Sequence, residues 1–178
     1  ERSLEIVEQL GDPVRAVYLR TNMANLYRGQ GDLDRAQELF ETIQQESVRL
    51  GLTQLEAVAI ANLGEVAGDR GQHELAVRHY RESVAICQNI GELRVQGLVL
   101  GRLGMTLHRQ DDFPGALAAF QEGEVLLRGL NSRVNLSIHF GLLGCMYVER
   151  GEIARARELL QEGTSLLKGL DLPPTSDA

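Results

Sequence analysis

Apolar residues recur along the chain at helical spacing, in stretches of similar length separated by short breaks. From Ala57 to Arg70 the apolar positions fall three or four residues apart, as on one face of a helix. The pattern stops at Gly71-Gln72 and resumes from Leu75 to Ile90. Regular strand-like alternation is missing, so the pattern predicts paired helices and almost no β structure.

This pattern returns every 40 residues. Three columns keep the spacing over four copies: Ala24, Gly64, Gly104 and Gly144; Ala36, Ala76, Ala116 and Ala156; and Phe40, Tyr80, Phe120 and Leu160. A fixed period of this length is the signature of a helical repeat array, in which each unit buries its apolar face against its neighbours.

The breaks carry helix-ending and helix-starting residues. Glycines follow the second helices at Gly11, Gly51 and Gly91, and Asn131 takes that place in the third copy. Both residue types tolerate the left-handed backbone that ends many helices. A further column holds Gly31, Gly71 and Gly151, with Asp111 replacing glycine. Asp112 followed by Phe113-Pro114 predicts a helix start, because an acidic N-cap precedes an early proline.

Glycines that recur inside predicted helices indicate close helix packing. It costs about 1 kcal/mol relative to alanine, so its repetition at Gly64, Gly104 and Gly144 requires a compensating gain. We expect that gain to be close approach of the paired helix, with Tyr80 or Phe120 filling the adjoining space.

The pattern Leu63-Gly64, Gly71, Ala76 and Tyr80 resembles the tetratricopeptide repeat signature. That repeat usually has 34 residues. The 40-residue period is similar to the longer variety found in kinesin light chains and in bacterial signal-transducing ATPases and transcriptional regulators. The resemblance covers about residues 3–170 and implies an all-α, right-handed solenoid of antiparallel helix pairs.

The period also divides the chain, as one solenoid domain. We expect the second helix of a truncated leading repeat at 1–12, full repeats at 13–52, 53–92, 93–132 and 133–170, and a tail at 171–178. A chain that starts at Glu1 without methionine is expected to be a fragment of a longer protein.

Composition and charge indicate which kinds of partner and location are unexpected for this chain. The net charge is −7, which argues against nucleic acid as a partner because phosphate binding needs a basic surface. Cys87 and Cys145 lie far apart, so a disulfide framework is not expected and a reducing cytoplasm is the predicted location. No apolar run reaches membrane-spanning length. Lys168 is the only lysine beside many arginines, which is typical of a GC-rich bacterial genome.

The motifs indicate no enzyme, cofactor or metal site. Gly97, Gly101 and Gly104 form a glycine run inside a predicted helix, without the preceding strand that a phosphate-binding loop needs. We therefore interpret this run as tight helix packing. The four histidines lack paired metal-ligand spacing.

The resemblance implies that the first helix of each pair lines a concave groove for a protein or peptide ligand. By the 40-residue period, the expected groove residues are Asn22, Asn25, Arg28, Asn62, Glu65, Asp69, Arg102, Met105, His108 and Arg109. The asparagines either hold a peptide backbone, which they can do as both donor and acceptor, or bind neighbouring helices and water. Mixed charge allows a peptide or a polar small molecule.

The leading interpretation is a protein- or peptide-binding scaffold, the regulatory or sensory segment of a larger bacterial signalling protein. Alternatives are a small-molecule effector sensor and a self-association module. The last helix has no successor to cover its apolar face, which includes Leu159, Leu160, Leu166 and Leu167. We expect this edge to be covered by another copy of the chain, by the missing part of the parent protein or by the tail folded back, and a two-fold homodimer is the leading prediction. Screening by charged neighbours would instead leave a monomer.

Overall fold

The computed structural model describes residue 7, residues 11–168 and residue 170. This part of the chain contains eight α-helices and no strand. They are α1 (Pro13–Gly29), α2 (Leu33–Leu50), α3 (Thr53–Asp69), α4 (His73–Ile90), α5 (Leu93–Arg109), α6 (Phe113–Gly129), α7 (Arg133–Glu149) and α8 (Ile153–Leu167). The prediction of an all-α repeat fold is confirmed. Most of the predicted half-repeat at 1–12 and all of the tail at 171–178 lie outside the described residues.

Residues with a left-handed backbone conformation, at positive φ, occur at the breaks between helices with a spacing of 20 residues. They are Gly11, Gly31, Gly51, Gly71, Gly91, Asp111, Asn131 and Gly151. Asp111 and Asn131 have φ values of 61° and 50°, so the two non-glycine residues adopt the conformation of the glycines they replace. This backbone reverses the chain after each helix and makes the connections uniform.

Several helices begin with an acidic cap, as the sequence predicts. The Asp112 carboxylate accepts a hydrogen bond from the Gly115 backbone N–H at 2.9 Å, and Pro114 lies in the first turn of α6. Asp12 and Asp32 cap α1 and α2 in the same way. Such caps satisfy donors that the first turn of a helix cannot use internally.

Each helix packs against the next one in the chain, and successive first helices also touch. Contacts run from α3 to α5 and from α5 to α7 as well as between sequence neighbours. The largest apolar cluster extends from Ala57 in α3 to Ala156 in α8. A second cluster joins α1, α2 and α3 around the buried Phe40. The first helices therefore lie side by side and form one face of the array.

The small column is a site of close helix contact, as predicted. A Cβ atom on Gly104 would lie 2.7 Å from Phe120 Cδ2, and one on Gly64 would lie 2.8 Å from Tyr80 Cε1. The ring of the second helix thus rests on the backbone of the first. A Cβ atom on Gly144 would lie 3.2 Å from Leu160 Cγ.

The glycine run in α5 also serves packing, which confirms that interpretation. The buried His139 of α7 lies against Gly101 of α5 and Gly123 of α6. Its Nε2 donates to the Phe120 carbonyl oxygen at 2.8 Å. Since a carbonyl can only accept, Nε2 carries the proton and Nδ1 is left with a lone pair. No hydrogen bond among the described residues reaches that Nδ1.

The self-association edge at Leu159, Leu160, Leu166 and Leu167 stays a prediction. Leu159 and Leu166 are half-buried and pack against the apolar clusters, including Phe140 of α7. Leu167 is also half-buried, whereas Leu160 is 44% exposed. The helical period alone does not separate the side of α8 that faces α7 from the side a further helix would cover.

None of the described helices is long and apolar enough to cross a membrane.

Candidate functional site

Two adjoining clefts open on the face formed by the first helices. The first, here called the arginine cleft, has a volume of about 280 Å³ and is lined by Arg28, Glu65, Gly68, Asp69, Tyr80, Arg102, Met105, Thr106, Arg109 and Leu142. The second, here called the apolar cleft, has a volume of about 340 Å³. It is lined by Tyr18, Thr21, Asn25, Gln54, Leu55, Val58, Ala61, Asn62, Arg94, Val95, Leu98, Val99 and Arg102. Arg102 belongs to both.

Helical spacing places the charged side chains of the arginine cleft. Glu65 and Asp69 are four residues apart on α3, and Arg102 and Arg109 are seven apart on α5. Both separations keep side chains on one face of a helix. Arg28, near the end of α1, completes the cleft from the preceding helix pair.

A carboxylate on α3 joins three helix pairs. Glu65 forms ion pairs with Arg28 of α1 through Oε2 and with Arg102 of α5 through Oε1. The second contact is an ion pair without a well-aligned hydrogen bond at Oε1. Arg28 Nε also lies 2.9 Å from Asp69 Oδ2. Glu65 is only 9% exposed, so two guanidinium groups offset the cost of burying its charge.

The arginine cleft holds cations and a neutral phenol at physiological pH. Burial lowers the pKa of Arg102 below its ordinary value, and an arginine side chain stays protonated in proteins. Burial raises the pKa of Tyr80 to about 12, although Arg102 and Arg28 act in the opposite direction. The Tyr80 hydroxyl therefore keeps its proton and can donate a hydrogen bond.

Sequence reasoning missed Tyr80 as a groove residue. It lies on α4, a second helix, and reaches the arginine cleft because Gly64 leaves room for its ring against α3. The signal was present in the aromatic column, where Tyr80 alone carries a hydroxyl while Phe40 and Phe120 do not.

Two arginines of the groove remain available to a ligand. Arg102 has 39% of its side chain exposed although it pairs with Glu65. Arg109 is exposed and, among the described residues, has no ion-pair or hydrogen-bond partner. Arginine presents several donors in a planar fork, which suits a carboxylate.

An apolar column at the repeat period forms one wall of the apolar cleft. Tyr18, Val58 and Leu98 stand 40 residues apart on α1, α3 and α5. Tyr18 is 54% exposed, and Val58 and Leu98 are half-buried. The same column continues at Ile138 of α7, which is 51% exposed. This column could have been found by applying the 40-residue period to apolar positions of the first helices.

The structure brings most of the predicted groove residues together. Arg28, Glu65, Asp69, Arg102, Met105 and Arg109 line the arginine cleft, and Asn25, Asn62 and Arg102 line the apolar cleft. Two lie apart from both clefts. Asn22 is exposed on α1, and His108 Nε2 lies 3.3 Å from Glu149 Oε2 of α7. Binding of a partner by these residues stays a prediction.

The groove is locally basic on an acidic chain. Four arginines line the two clefts, Arg28, Arg94, Arg102 and Arg109, against two carboxylates. The whole chain has a net charge of −7. Within the described part of the chain, no group of three histidine, cysteine or acidic side chains has the arrangement of a metal site. The arrangement is suited to binding, with apolar and cationic surface side by side.

Known families and structures share this architecture. One tetratricopeptide repeat model matches residues 55–124 and a second matches residues 17–42. No curated protein matches the sequence. The fold is typical of non-enzymatic scaffolds.

Solved structures that are similar in fold share little sequence. BtubC (BKLC) from P. vanneervenii is 21% identical, with a TM-score of 0.69 over 94% of this chain and 70% of that chain. The apo form of RapI is 14% identical, with a TM-score of 0.64 over 93% and 73%. A kinesin light chain protein with TPR-like repeats from Podosopora anserina is 16% identical, with a TM-score of 0.62 over 93% and 92%.

Proposed function

Since the chain belongs to the tetratricopeptide repeat family, we propose that its groove binds an extended segment of a partner protein. Membership of this family supports a protein-interaction scaffold in general. The groove on the first helices is the surface that we assign to that interaction.

The observation that most supports this function is that the two clefts meet at Arg102. Side chains from α1, α3 and α5 line both clefts, so the binding surface crosses three helix pairs. Packed helices lie about 8–10 Å apart. An extended chain rising about 3.3 Å per residue would cross such a surface with on the order of six residues. A strand-like peptide therefore matches the groove in length and shape.

Gly68 offers a direct test, because it lines the arginine cleft and a Cβ atom there would meet nothing within 4 Å. Gly68→Phe should fill the cleft without forcing the helices apart. Gly129→Phe is the matched control, since Gly129 is exposed on α6, away from both clefts, and is equally unobstructed.

The experiment compares proteins captured by the parent chain and by the two variants from a lysate of the source organism. A protein retained by the parent and by Gly129→Phe, but lost by Gly68→Phe, supports binding in the groove. Equal capture by all three chains, with unchanged helical circular dichroism, would contradict it.

Small-molecule sensing is the second candidate, favoured by the charged lining and the size of the clefts. Volumes of about 280 and 340 Å³ lie at the lower end of ordinary ligand sites. A metabolite that raises the melting temperature of the parent but not of Gly68→Phe would support this function. A screen of charged metabolites without such a shift would count against it.

We also infer a regulatory or sensory role within a larger bacterial signalling protein. The support is the arginine-rich composition with the single lysine Lys168, together with the resemblance to repeat regions of bacterial regulators. The parent gene tests this directly. A kinase, ATPase or DNA-binding domain in the same reading frame is the expected finding, and a gene encoding only helical repeats would contradict it.

A further inference from the structure

We propose a second binding site, separate from the groove, that accepts the guanidinium group of an arginine side chain from another protein. The site is a cleft on the side of the array where first helices turn into second helices. Its volume of about 590 Å³ exceeds that of either cleft of the groove. We call it the turn cleft. Residues 71–75 and Arg78, at the start of α4, line it together with Gln110 after α5.

The repeat period shows which residue type belongs at the position of Gln110. The residues that follow the first helices α3, α5 and α7 are Arg70, Gln110 and Arg150, spaced by 40 residues. Arg70 reaches back to α2, and Arg150 reaches back to α6. Gln110 borders the turn cleft beside α4 in the same way. Two of these three copies therefore place an arginine where the third has a shorter, uncharged glutamine.

The two arginines show how a guanidinium is held at this position. Arg70 donates hydrogen bonds to the Asp34 carboxylate and to the Gln37 side-chain oxygen of α2, and its side chain is only 26% exposed. Arg150 lies over the Phe113 ring, with its Cζ atom 3.7 Å from the ring centroid. In both copies a planar cation rests on polar or aromatic groups at the start of the preceding second helix.

The turn cleft carries counterparts of both receiving groups. By the 40-residue period, Glu74 corresponds to Asp34, and His73 corresponds to Phe113. Glu74 has no ion-pair or hydrogen-bond partner within the described part of the chain. The His73 Nδ1 atom is buried and has no hydrogen-bond partner there either. A carboxylate, a ring nitrogen that can accept and a flat ring together suit the donors and the face of a guanidinium.

The groups already present in the turn cleft do not satisfy Glu74. The Gln110 side chain forms no hydrogen bond to any described residue and carries no charge to offset the carboxylate. Arg78 is exposed and makes no ion pair with Glu74 in the described structure. Its charge opposes a bound guanidinium, but a long exposed side chain can turn into water. We therefore expect Arg78 to weaken the site without closing it.

The test is an NMR titration of the isotope-labelled chain with N-acetyl-arginine methylamide, which is capped at both ends like a residue within a protein. The backbone amides of residues 71–75 and 110 should shift and saturate. The citrulline derivative has nearly the same shape without the charge, and it should cause no saturable shift. The lysine derivative has the charge without the planar fork, so it should bind at least threefold more weakly.

Three variants assign the contacts of the arginine probe. Glu74→Gln should weaken its binding at least threefold, because the receiving carboxylate is lost. Arg78→Gln should strengthen binding, because a like charge is removed. Glu82→Gln is the matched control for the first change, since Glu82 is exposed further along α4 and does not line the turn cleft. It should bind the probe like the parent.

Gln110→Arg provides an independent measurement. The new side chain should occupy the turn cleft as its counterparts occupy theirs, so binding of the probe should be lost. The added ion pair should also raise the melting temperature by about 1–3 °C. Gln121→Arg is the control, because it adds the same charge at an exposed position of α6 away from the cleft. It should leave binding unchanged and raise the melting temperature by less.

Shifts that are specific for arginine, weakened by Glu74→Gln and lost in Gln110→Arg support the site. Equal shifts with the arginine and citrulline probes overturn it. So do shifts that persist in Glu74→Gln, since they would reflect general attraction to a chain of net charge −7. A stabilised Gln110→Arg variant without arginine-specific shifts in the parent also overturns it, because the cleft would then accept an arginine only from its own chain.

Discussion

Tyr80 occupies the space that any side chain at position 64 would need, because a Cβ atom on Gly64 would lie 2.8 Å from Tyr80 Cε1. The contact has two roles. It lets α3 and α4 approach closely, and it carries the Tyr80 hydroxyl from a second helix to the arginine cleft. A single glycine thus connects packing to the chemistry of the groove.

Replacing Gly64 by alanine should destabilise the array by about 1–3 kcal/mol, since the rigid ring must move and overpacking costs that much. Gly141→Ala is the control, because Gly141 lies within α7 with open space at its Cβ position. There the better helix propensity of alanine should add up to about 1 kcal/mol. Urea unfolding followed by circular dichroism measures both, and equal midpoints for the two variants would contradict the close contact.

Neutralising Glu65 should lower the free energy of unfolding more than neutralising Asp69. Glu65 is 9% exposed and pairs with two arginines, so Glu65→Gln should lose about 1–3 kcal/mol. Asp69 is 46% exposed and, among the described residues, pairs only with Arg28, so Asp69→Asn should lose no more than about 1 kcal/mol. Thermal and urea melts at low and high salt provide the comparison. A larger effect at Asp69 would show that the bridge through Glu65 does not hold the helix pairs together.

Acid should weaken the junction of α5, α6 and α7 through His139. Burial lowers the pKa of His139, although the carbonyls of Phe120 and Gly97 and the charge of Glu124 favour the protonated ring. The unfolded chain therefore takes up a proton near pH 6.5 while the folded chain still resists it. Stability is then constant above about pH 6.5 and falls as the pH is lowered towards the folded pKa.

The measurement is urea unfolding of the parent and of His139→Gln between pH 8 and pH 5. Glutamine can still donate to the Phe120 carbonyl but does not titrate. We expect a flatter stability profile for the variant below pH 6.5. His79→Gln is a needed comparison, because burial also lowers the pKa of His79. Parallel profiles for the parent and His139→Gln would assign the acid sensitivity elsewhere.

The C-terminal edge should associate through Val148, Ile153 and Leu160. These side chains are 49%, 50% and 44% exposed. They surround a separate cleft of about 400 Å³ beside Ala156, at the opposite end of the array from Tyr18. In internal pairs the corresponding surface is covered by the next first helix, and exposed apolar surface of this kind is a candidate dimer contact. Sedimentation equilibrium should show a dimer at high concentration.

Val148→Glu combined with Ile153→Glu should shift that equilibrium to monomer. The control is Val125→Glu, which introduces the same charge on α6 at a position that is 70% exposed. A parent chain that stays monomeric at the highest concentration would rule out the contact. So would a dimer that the paired glutamates leave unchanged.

The backbone of this fold could be predicted from sequence because its signals are local. Asp111 and Asn131 adopt the left-handed turns that their positions in the repeat indicate. Gly64 and Gly104 mark close contacts because glycine is unfavourable inside a helix and recurs there at the repeat period. Period and residue type were enough for these features.

The groove could be predicted only in part, because side-chain partners depend on the offset between neighbouring helices. The period places Glu65 and Arg102 on the same face, but their pairing across helix pairs requires the actual packing. Tyr80 was missed because it comes from the other helix of its pair. Leu159 packs against the apolar cluster, and the period does not show this because an α8 residue can face α7 or the open edge with the same apolar character.

The 20-residue spacing of the left-handed turns governs which insertions and deletions the chain can accept. One added residue within a helix rotates everything beyond it by about 100°, which would swing the groove residues of that helix out of line. Loss or gain of a whole 40-residue unit keeps every turn in phase. The array should therefore lengthen and shorten in genomes by complete units. Removing 53–92 would keep the solenoid while deleting Glu65, the carboxylate that ties α1 to α5.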